Sequence, residues 1–362
     1  DAVLHGQLHL RLIPGDTHDL SLFRGRYYLY WSPFPAVLLL PFVALFGVRF
    51  SDVMFTLAVA ALNVALVALV LRQACRRGLV DLSRLQRGLL ILFFAFGTVH
   101  ITLAPFGRVW FTAQLVGFGC GALAYLATLR LSGGWAFFLT GAAMAGALLT
   151  RNHLILLGLW LACYLLYEHR STPRGRLAAY VLAGVAPVVL AVLLLAVYNL
   201  VRFGSALDNG LDYHRMSDFF VEDYRRYGAF SLHYLPANVF YQYLAYPFPV
   251  RPNSFMGGSL FLLSPVFFGA LIGAVVGRPR WSTWALLATV VAVAIPILLL
   301  MGTGWMQWGP RYTLDFTLPL LLLTALGIRR WPIPLLALLV AISIVHYLWG
   351  TLIFSTHIPY PL

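Results

Sequence analysis

What most constrains this chain is a succession of apolar runs of membrane length. They lie near residues 53–71, 88–105, 110–129, 134–150, 152–168, 177–199, 258–276, 281–301, 313–327 and 331–354. A bilayer core takes about 20 apolar residues per helix and offers no water to an unpaired backbone group. Ten such runs in 362 residues leave little room for any other fold. Composition agrees, with 61% hydrophobic and 10% charged residues, where a soluble domain carries roughly 25% charged. The expectation is an all-α polytopic membrane protein with about ten transmembrane helices.

Net charge is +13, and all 25 basic residues are Arg. Such a balance can serve nucleic acid, but these arginines gather in short turns between apolar runs. Arg72, Arg76, Arg77, Arg84 and Arg87 form one group, and Arg170, Arg174 and Arg176 a second. Arg278 with Arg280, and Arg329 with Arg330, form two more. In those places Arg is a topology signal that marks the cytoplasmic side. The partners expected are therefore membrane lipids and not nucleic acid.

The run 34–47 tests this topology. It is short, carries Pro35 and Pro41, and ends at Gly47. If it stays within one leaflet, all four Arg groups fall on the cytoplasmic side. If it crosses, the 72–87 group does not. Residues 34–47 are therefore expected to form an outer-leaflet juxtamembrane helix. One domain over 1–362 then divides into an outer loop and juxtamembrane helix (1–52), a helical core (53–201), a large outer loop (202–257) and C-terminal helices (258–362). A multi-pass protein of the plasma (inner) membrane, with its active face outside the cytoplasm, is the resulting localisation.

Three polar clusters converge on that face. The first contains Asp16, Asp19, Arg24, Arg26 and Tyr28, followed by the Tyr- and Pro-rich stretch Gly25–Pro35. The second is Thr150-Arg151-Asn152-His153, a break between two short apolar segments. The third runs from Gly304 to Arg311 and Tyr312, and on to Asp315. Arg202 opens the large loop, which holds Asp208, Asp212, Asp218, Glu222 and Asp223 among many tyrosines. An Arg at membrane depth is costly unless it meets an anion or water. Arg151 is thus either a ligand-binding cation or a snorkelling helix end. Arg311 either binds an anionic headgroup or pairs with Asp315 four residues on. Asp16 and Asp19 are either bases or solvated turn acids. His5, His9 and His18 lack the spacing of a metal site. Cys75, Cys120 and Cys163 show no paired spacing either. No metal ligands are assigned, and a divalent cation is left open as the one cofactor.

The order of these pieces resembles the C-type glycosyltransferases, polytopic enzymes that use polyprenyl-phosphate sugars. It looks closest to bacterial relatives of protein O-mannosyltransferases and of the lipid A aminoarabinose transferase. Gly25-Arg-Tyr-Tyr, the Pro-rich turn and Phe46-Gly47 match the family's first outer loop. Leu149-Thr150-Arg151-Asn152 matches a break that places a cation at the lipid phosphate, and Arg311-Tyr312 matches a late Arg-Tyr before an apolar helix. The resemblance implies a C-type fold and a polyprenyl-phosphate sugar donor with an unassigned acceptor. It implies a substrate-binding set of Arg24, Arg26, Tyr28, Arg151, His153, Arg202, Arg311 and Tyr312. Asp16 and Asp19 are the weak catalytic candidates, because the family's acid and first helix would precede Asp1. Trp31-Ser32 departs from the basic residue usual before the Pro-rich turn. Two other classes compete: a transporter or flippase of a lipid-linked saccharide, and a non-catalytic membrane subunit of a larger assembly.

Overall fold

The computed structural model describes residues 1–304 and 306–357, without the side chain of Phe219. After a polar N-terminal loop come α1 (Phe34–Phe46), α2 (Asp52–Arg76), α3 (Arg84–Phe96), α4 (Val99–Leu103) and α5 (Val109–Arg130). Next are α6 (Gly133–Leu148), α7 (Gly158–Glu168) and α8 (Arg174–Phe203). A long loop then carries the short α9 (Asp218–Tyr227) and α10 (Leu235–Val239). The chain finishes with α11 (Leu260–Leu263), α12 (Phe268–Val276), α13 (Arg280–Leu299), α14 (Thr317–Gly327) and α15 (Ile333–His357). Within the first loop, β1 (Ser21–Phe23) and β2 (Arg26–Tyr28) pair as an antiparallel hairpin, with Ser21 opposite Tyr28.

Among the described residues, seven helical segments are long and apolar enough to cross a membrane: Asp52–Arg76, Arg84–Leu103, Val109–Arg130, Arg174–Phe203, Arg280–Leu299, Arg311–Arg330 and Ile333–His357. The chain is thus a mostly helical, multi-pass membrane protein. The apolar runs at 134–150, 152–168 and 258–276 form shorter pieces. Gly133–Leu148 ends at the Thr150-Arg151 break, and Asn152–Leu157 is a 3-10 turn ahead of α7. Ser264-Pro265 interrupts the third, since Pro cannot donate the backbone bond a continuing helix needs.

Two distinct ends result. At one, Arg77 Nε donates to the Leu129 carbonyl at 2.9 Å and its Nη1 lies 3.6 Å from Glu168. Ser83 and Gln86 close a capping box at the start of α3. Gln86 Nε2 then reaches across to the Ile328 and Arg329 carbonyls, and Arg329 pairs with Asp81 at 3.0 Å. Arg278 borders a cavity shared with Asp81 and Arg329. All four Arg groups therefore sit at this Arg-rich end. The opposite end carries the loops. Ser21 bridges His214, and Arg215 N donates to the Leu20 carbonyl at 2.9 Å, so the N-terminal loop lies on the 202–257 loop.

Both ends of α1 lie at the loop end. Phe34 N donates to the Leu149 carbonyl where α6 finishes, and Phe42 and Phe46 stack on Phe50, just ahead of α2. The helix lies across that end and does not run to the Arg-rich one. In the interior, close backbone contact replaces the hydrophobic force that lipid cannot supply. A Cβ on Gly141 of α6 would stand 1.9 Å from the Gly184 carbonyl oxygen of α8, so only glycine permits that crossing. Trp160 in the core stacks on Tyr125 at 5.1 Å and donates from Nε1 to Ser282 at 2.9 Å, which satisfies its indole N–H away from water. The outward face of α8, with Leu182, Val189 and Leu193 exposed, has the character of a lipid-facing surface.

Candidate functional site

The site begins at the end of α6. There Thr150 Oγ1 donates to the Gly146 carbonyl at 2.7 Å, and Arg151 N to the Ala147 carbonyl at 2.9 Å. Arg151 then turns extended (φ −148, ψ 111), which points its side chain out of the helix path into the protein. Its guanidinium is buried, and Nη2 donates to Oδ2 of Asp315 at 3.0 Å. His153 reaches the same oxygen through Nε2 at 2.9 Å. Asp315 is not paired with Arg311, the partner that helical spacing offered. Residues 311–316 form a 3-10 turn, in which positions four apart do not share a face.

Arg311 is buried too. Both guanidinium groups lie over the Tyr312 ring, Arg151 at 5.3 Å and Arg311 at 4.7 Å from its centroid. Arg311 Nη2 donates to the Tyr312 hydroxyl at 3.2 Å. Gln307 and Gln114 hold its backbone, at 3.2 and 3.0 Å. Gly304 (φ 110) lets this loop close over the cation, since a Cβ there would lie 2.9 Å from Arg311 Nε. Trp305, in the same segment, lies outside the described residues.

Charge and hydrogen bonding are unbalanced here. Two buried guanidinium groups share one buried carboxylate, and Nε and Nη1 of both arginines are buried without a partner. Three N–H donors per arginine are left unused. Buried cations of this kind require an anion or water.

Arg151 and His153 open into a cavity of about 420 Å³. Its polar side also contains Tyr30, Trp31, Asn152, Asn199 and Arg202, and its apolar side Leu195, Phe230, Pro296, Ile297 and Leu300. Trp31 Nε1 is another buried donor without a partner. The cavity is thus amphiphilic, polar toward the loops and apolar between α8 and α13. Burial pushes Tyr30 well above the usual phenol range. The negative charge of Asp19 adds to this and Arg311 and Arg151 oppose it, so Tyr30 stays a neutral donor.

The sequence-expected residues divide. Arg151, His153, Arg311 and Tyr312 form one cluster, and Arg202 lines the adjoining cavity. Arg202 spends its donors inside the protein, on the Leu29 carbonyl at 2.7 Å and Asn199 Oδ1 at 2.9 Å, and so staples the first loop to α8. Asp19 sits beside the cluster. Its carboxylate accepts from or pairs with His214 Nε2 at 3.2 Å, and its charge is felt at Tyr30, Arg108 and Arg311. Its backbone is left-handed (φ 63), a strained state that Asp tolerates better than most residues. Asp16 is exposed and bonds only its neighbour His18, which holds its carboxyl below the usual range. Arg24 and Arg26 flank the hairpin turn, exposed and away from the cavity, because the turn projects outward from the loop. Tyr28 is buried against Phe203, on the structural side of that hairpin. His5, His9 and His18 do not converge: His5 bonds Asp1, His18 bonds Asp16 and His9 meets the Tyr28 ring.

Tyr30, Trp31, Asn199 and His214 escaped the sequence reading. Trp31 stands where the resemblance expected a cation, which was a usable signal. Asn199 lies inside an apolar helix, and His214 is brought in only by the loop–loop contact. No protein-family model, curated protein or solved structure matches the chain.

Proposed function

We propose that this protein is a membrane glycosyltransferase that moves a sugar from a polyprenyl-phosphate donor to a lipid, glycan or protein acceptor. In this reading the chain crosses the plasma membrane ten times with a C-type fold, and the cavity faces outside the cytoplasm. One observation carries the proposal. Arg151, buried with surplus donors, lines a cavity that is polar at the loops and apolar between two helices, and a second such guanidinium, Arg311, shares the Tyr312 ring with it. Such a site suits an anionic headgroup on an apolar tail.

Transfer follows from these residues. An acceptor hydroxyl attacks the anomeric carbon, and the carbon–oxygen bond to phosphate breaks with its electron pair leaving on the phosphate. Charge on that phosphate grows, and in this reading Arg151 and Arg311 stabilise it. In this reading Asp19 takes the hydroxyl proton, while Tyr30 and Trp31 donate hydrogen bonds to the headgroup or sugar.

The test is release of polyprenyl phosphate from polyprenyl-phosphate sugars in proteoliposomes. Binding of polyprenyl phosphate is measured alongside. Wild-type protein should bind and turn over, and Arg151→Ala should lower turnover by about 10²–10³ while weakening binding less. Binding with lipid movement but no sugar transfer would favour a flippase instead. Unchanged transfer in Arg151→Ala would sink the proposal.

A further inference from the structure

A second cavity, of about 440 Å³, lies at the Arg-rich end and is not connected to the chemistry above. Arg278, Arg329, Arg330 and Trp331 border it on the solvent side, and Ile272 and Val276 of α12 on the other. Arg329 is paired with Asp81, but Arg278 and Arg330 have no ion pair among the described residues. The cavity therefore carries an excess of two positive charges.

Its frame is rigid. A Cβ on Gly273 of α12 would stand 1.9 Å from the Leu323 carbonyl oxygen, and one on Gly327 1.9 Å from the Gly269 carbonyl oxygen. The two helices thus touch backbone to backbone just beneath the basic rim, so the cavity cannot close by collapse. Leu271, Ile272, Val275 and Val276 are all exposed on α12 and continue from the rim as an aliphatic strip. Trp331 sits at the junction of basic rim and apolar wall, the level at which Trp marks a membrane–water boundary. A topology signal alone needs only arginines in a turn. It does not need a rigid cavity with a charged mouth and a greasy wall.

We propose that this cavity binds the headgroup of an anionic phospholipid from the leaflet at the Arg-rich end. Arg278 and Arg330 would hold its phosphate, and its acyl chains would lie along α12. Guanidinium groups suit phosphate by geometry as well as charge. Basic pockets between membrane helices are established as a headgroup-binding device. The proposal rests only on the multi-pass architecture and is independent of sugar transfer.

The experiment uses the full chain, purified in detergent and examined by native mass spectrometry for retained phosphatidylglycerol against phosphatidylcholine. Thermal stability is read in parallel in nanodiscs of each lipid. Wild-type protein should retain phosphatidylglycerol selectively and melt higher in it. The double variant Arg278→Gln/Arg330→Gln should lose roughly tenfold to thirtyfold of that retention, since each Arg contributes attraction to an anionic surface. Arg278→Lys/Arg330→Lys should keep most of it, which separates lost charge from a misfolded chain. Arg225→Gln/Arg226→Gln, at the loop end, should change nothing. Equal retention of both lipids by wild type would overturn the proposal, as would full retention by the Gln variant. Inorganic phosphate reproducing the stabilisation without lipid would also overturn it, by showing a bare anion site.

Discussion

Arg151 and His153 meet on a single oxygen of Asp315, at 3.0 and 2.9 Å, although Asp315 follows them by more than 160 residues. That carboxylate is the buried counter-ion for Arg151, and the charge of Arg311 also acts on it. Removing it strands buried cations. Asp315→Ala should therefore cost about 3–5 kcal/mol of stability. Part of that loss should return when chloride is replaced by inorganic phosphate, because an anion in the cavity takes over the missing charge. Thermal melts of the purified protein in the two salts measure both effects. If the variant melts with wild type, or if phosphate does nothing, the charge balance described for this cluster is wrong.

The two acids of the first loop have different environments. Asp19 is tied to His214 and its charge acts on Arg311, whereas Asp16 is exposed and bonded to its neighbour His18. Asp19→Asn should lower sugar transfer by about 10²–10⁴, the range for losing a positioned base. Asp16→Asn should leave turnover nearly unchanged. Initial rates of polyprenyl-phosphate release in proteoliposomes separate the two. The reverse order would move the base to Asp16 and require the hairpin to rearrange.

Much of this architecture is legible in the sequence because membrane helices must satisfy their backbone internally. Apolar length and Arg position then carry most of the information. That logic locates the helical segments, the common face of the loops and the lateral course of 34–47. It weakens where helices break. The 3-10 turns at 152–157 and 311–316 shift side-chain faces, so the Arg311–Asp315 pair that a spacing of four offered as an alternative does not form, and Arg151 and His153 take its place. It fails for contacts made in three dimensions only. Nothing local to Arg202 shows that it holds the Leu29 carbonyl, and nothing local to His214 shows that it meets Asp19. The Arg-Gly-Arg hairpin turn reads as a cationic site in one dimension and is a solvent-facing turn in three.

Gly304 is expected to be irreplaceable for function and tolerable for folding. Its φ of 110 belongs to glycine, and a Cβ would press on Gln307 Oε1 at 2.6 Å and Arg311 Nε at 2.9 Å. Both neighbours are side chains, so the clash is relieved by displacing Arg311 and not by unfolding the bundle. Gly304→Ala should therefore cost about 1–3 kcal/mol in stability. It should also weaken polyprenyl phosphate binding by about tenfold or more, as one charged contact is misplaced. Binding by intrinsic fluorescence and stability by thermal melting give the two numbers. Normal binding by this variant would show that Arg311 does not contact the ligand.

The large loop should carry an alkaline transition. Tyr224 on α9 is pushed up to about 12 from an ordinary 10.0, first by burial, then by its hydrogen bond to Asp212, with the charges of Asp212 and Asp208 adding. The folded loop thus holds the phenol proton more tightly than the unfolded loop does. Its stabilising effect is complete below pH 10, declines as pH rises from about 10 to about 12, and is gone above that, because the unfolded state releases the proton first. Tyrosinate absorbance should then show one late-titrating phenol fewer in Tyr224→Phe than in wild type. Far-ultraviolet circular dichroism should show helix lost between those limits in wild type, and Tyr224→Phe should begin with less helix and lack that step. A Tyr224 that ionises near pH 10, or a helix signal indifferent to pH, would mean that the Tyr224–Asp212 contact does not hold α9 against the rest of the loop.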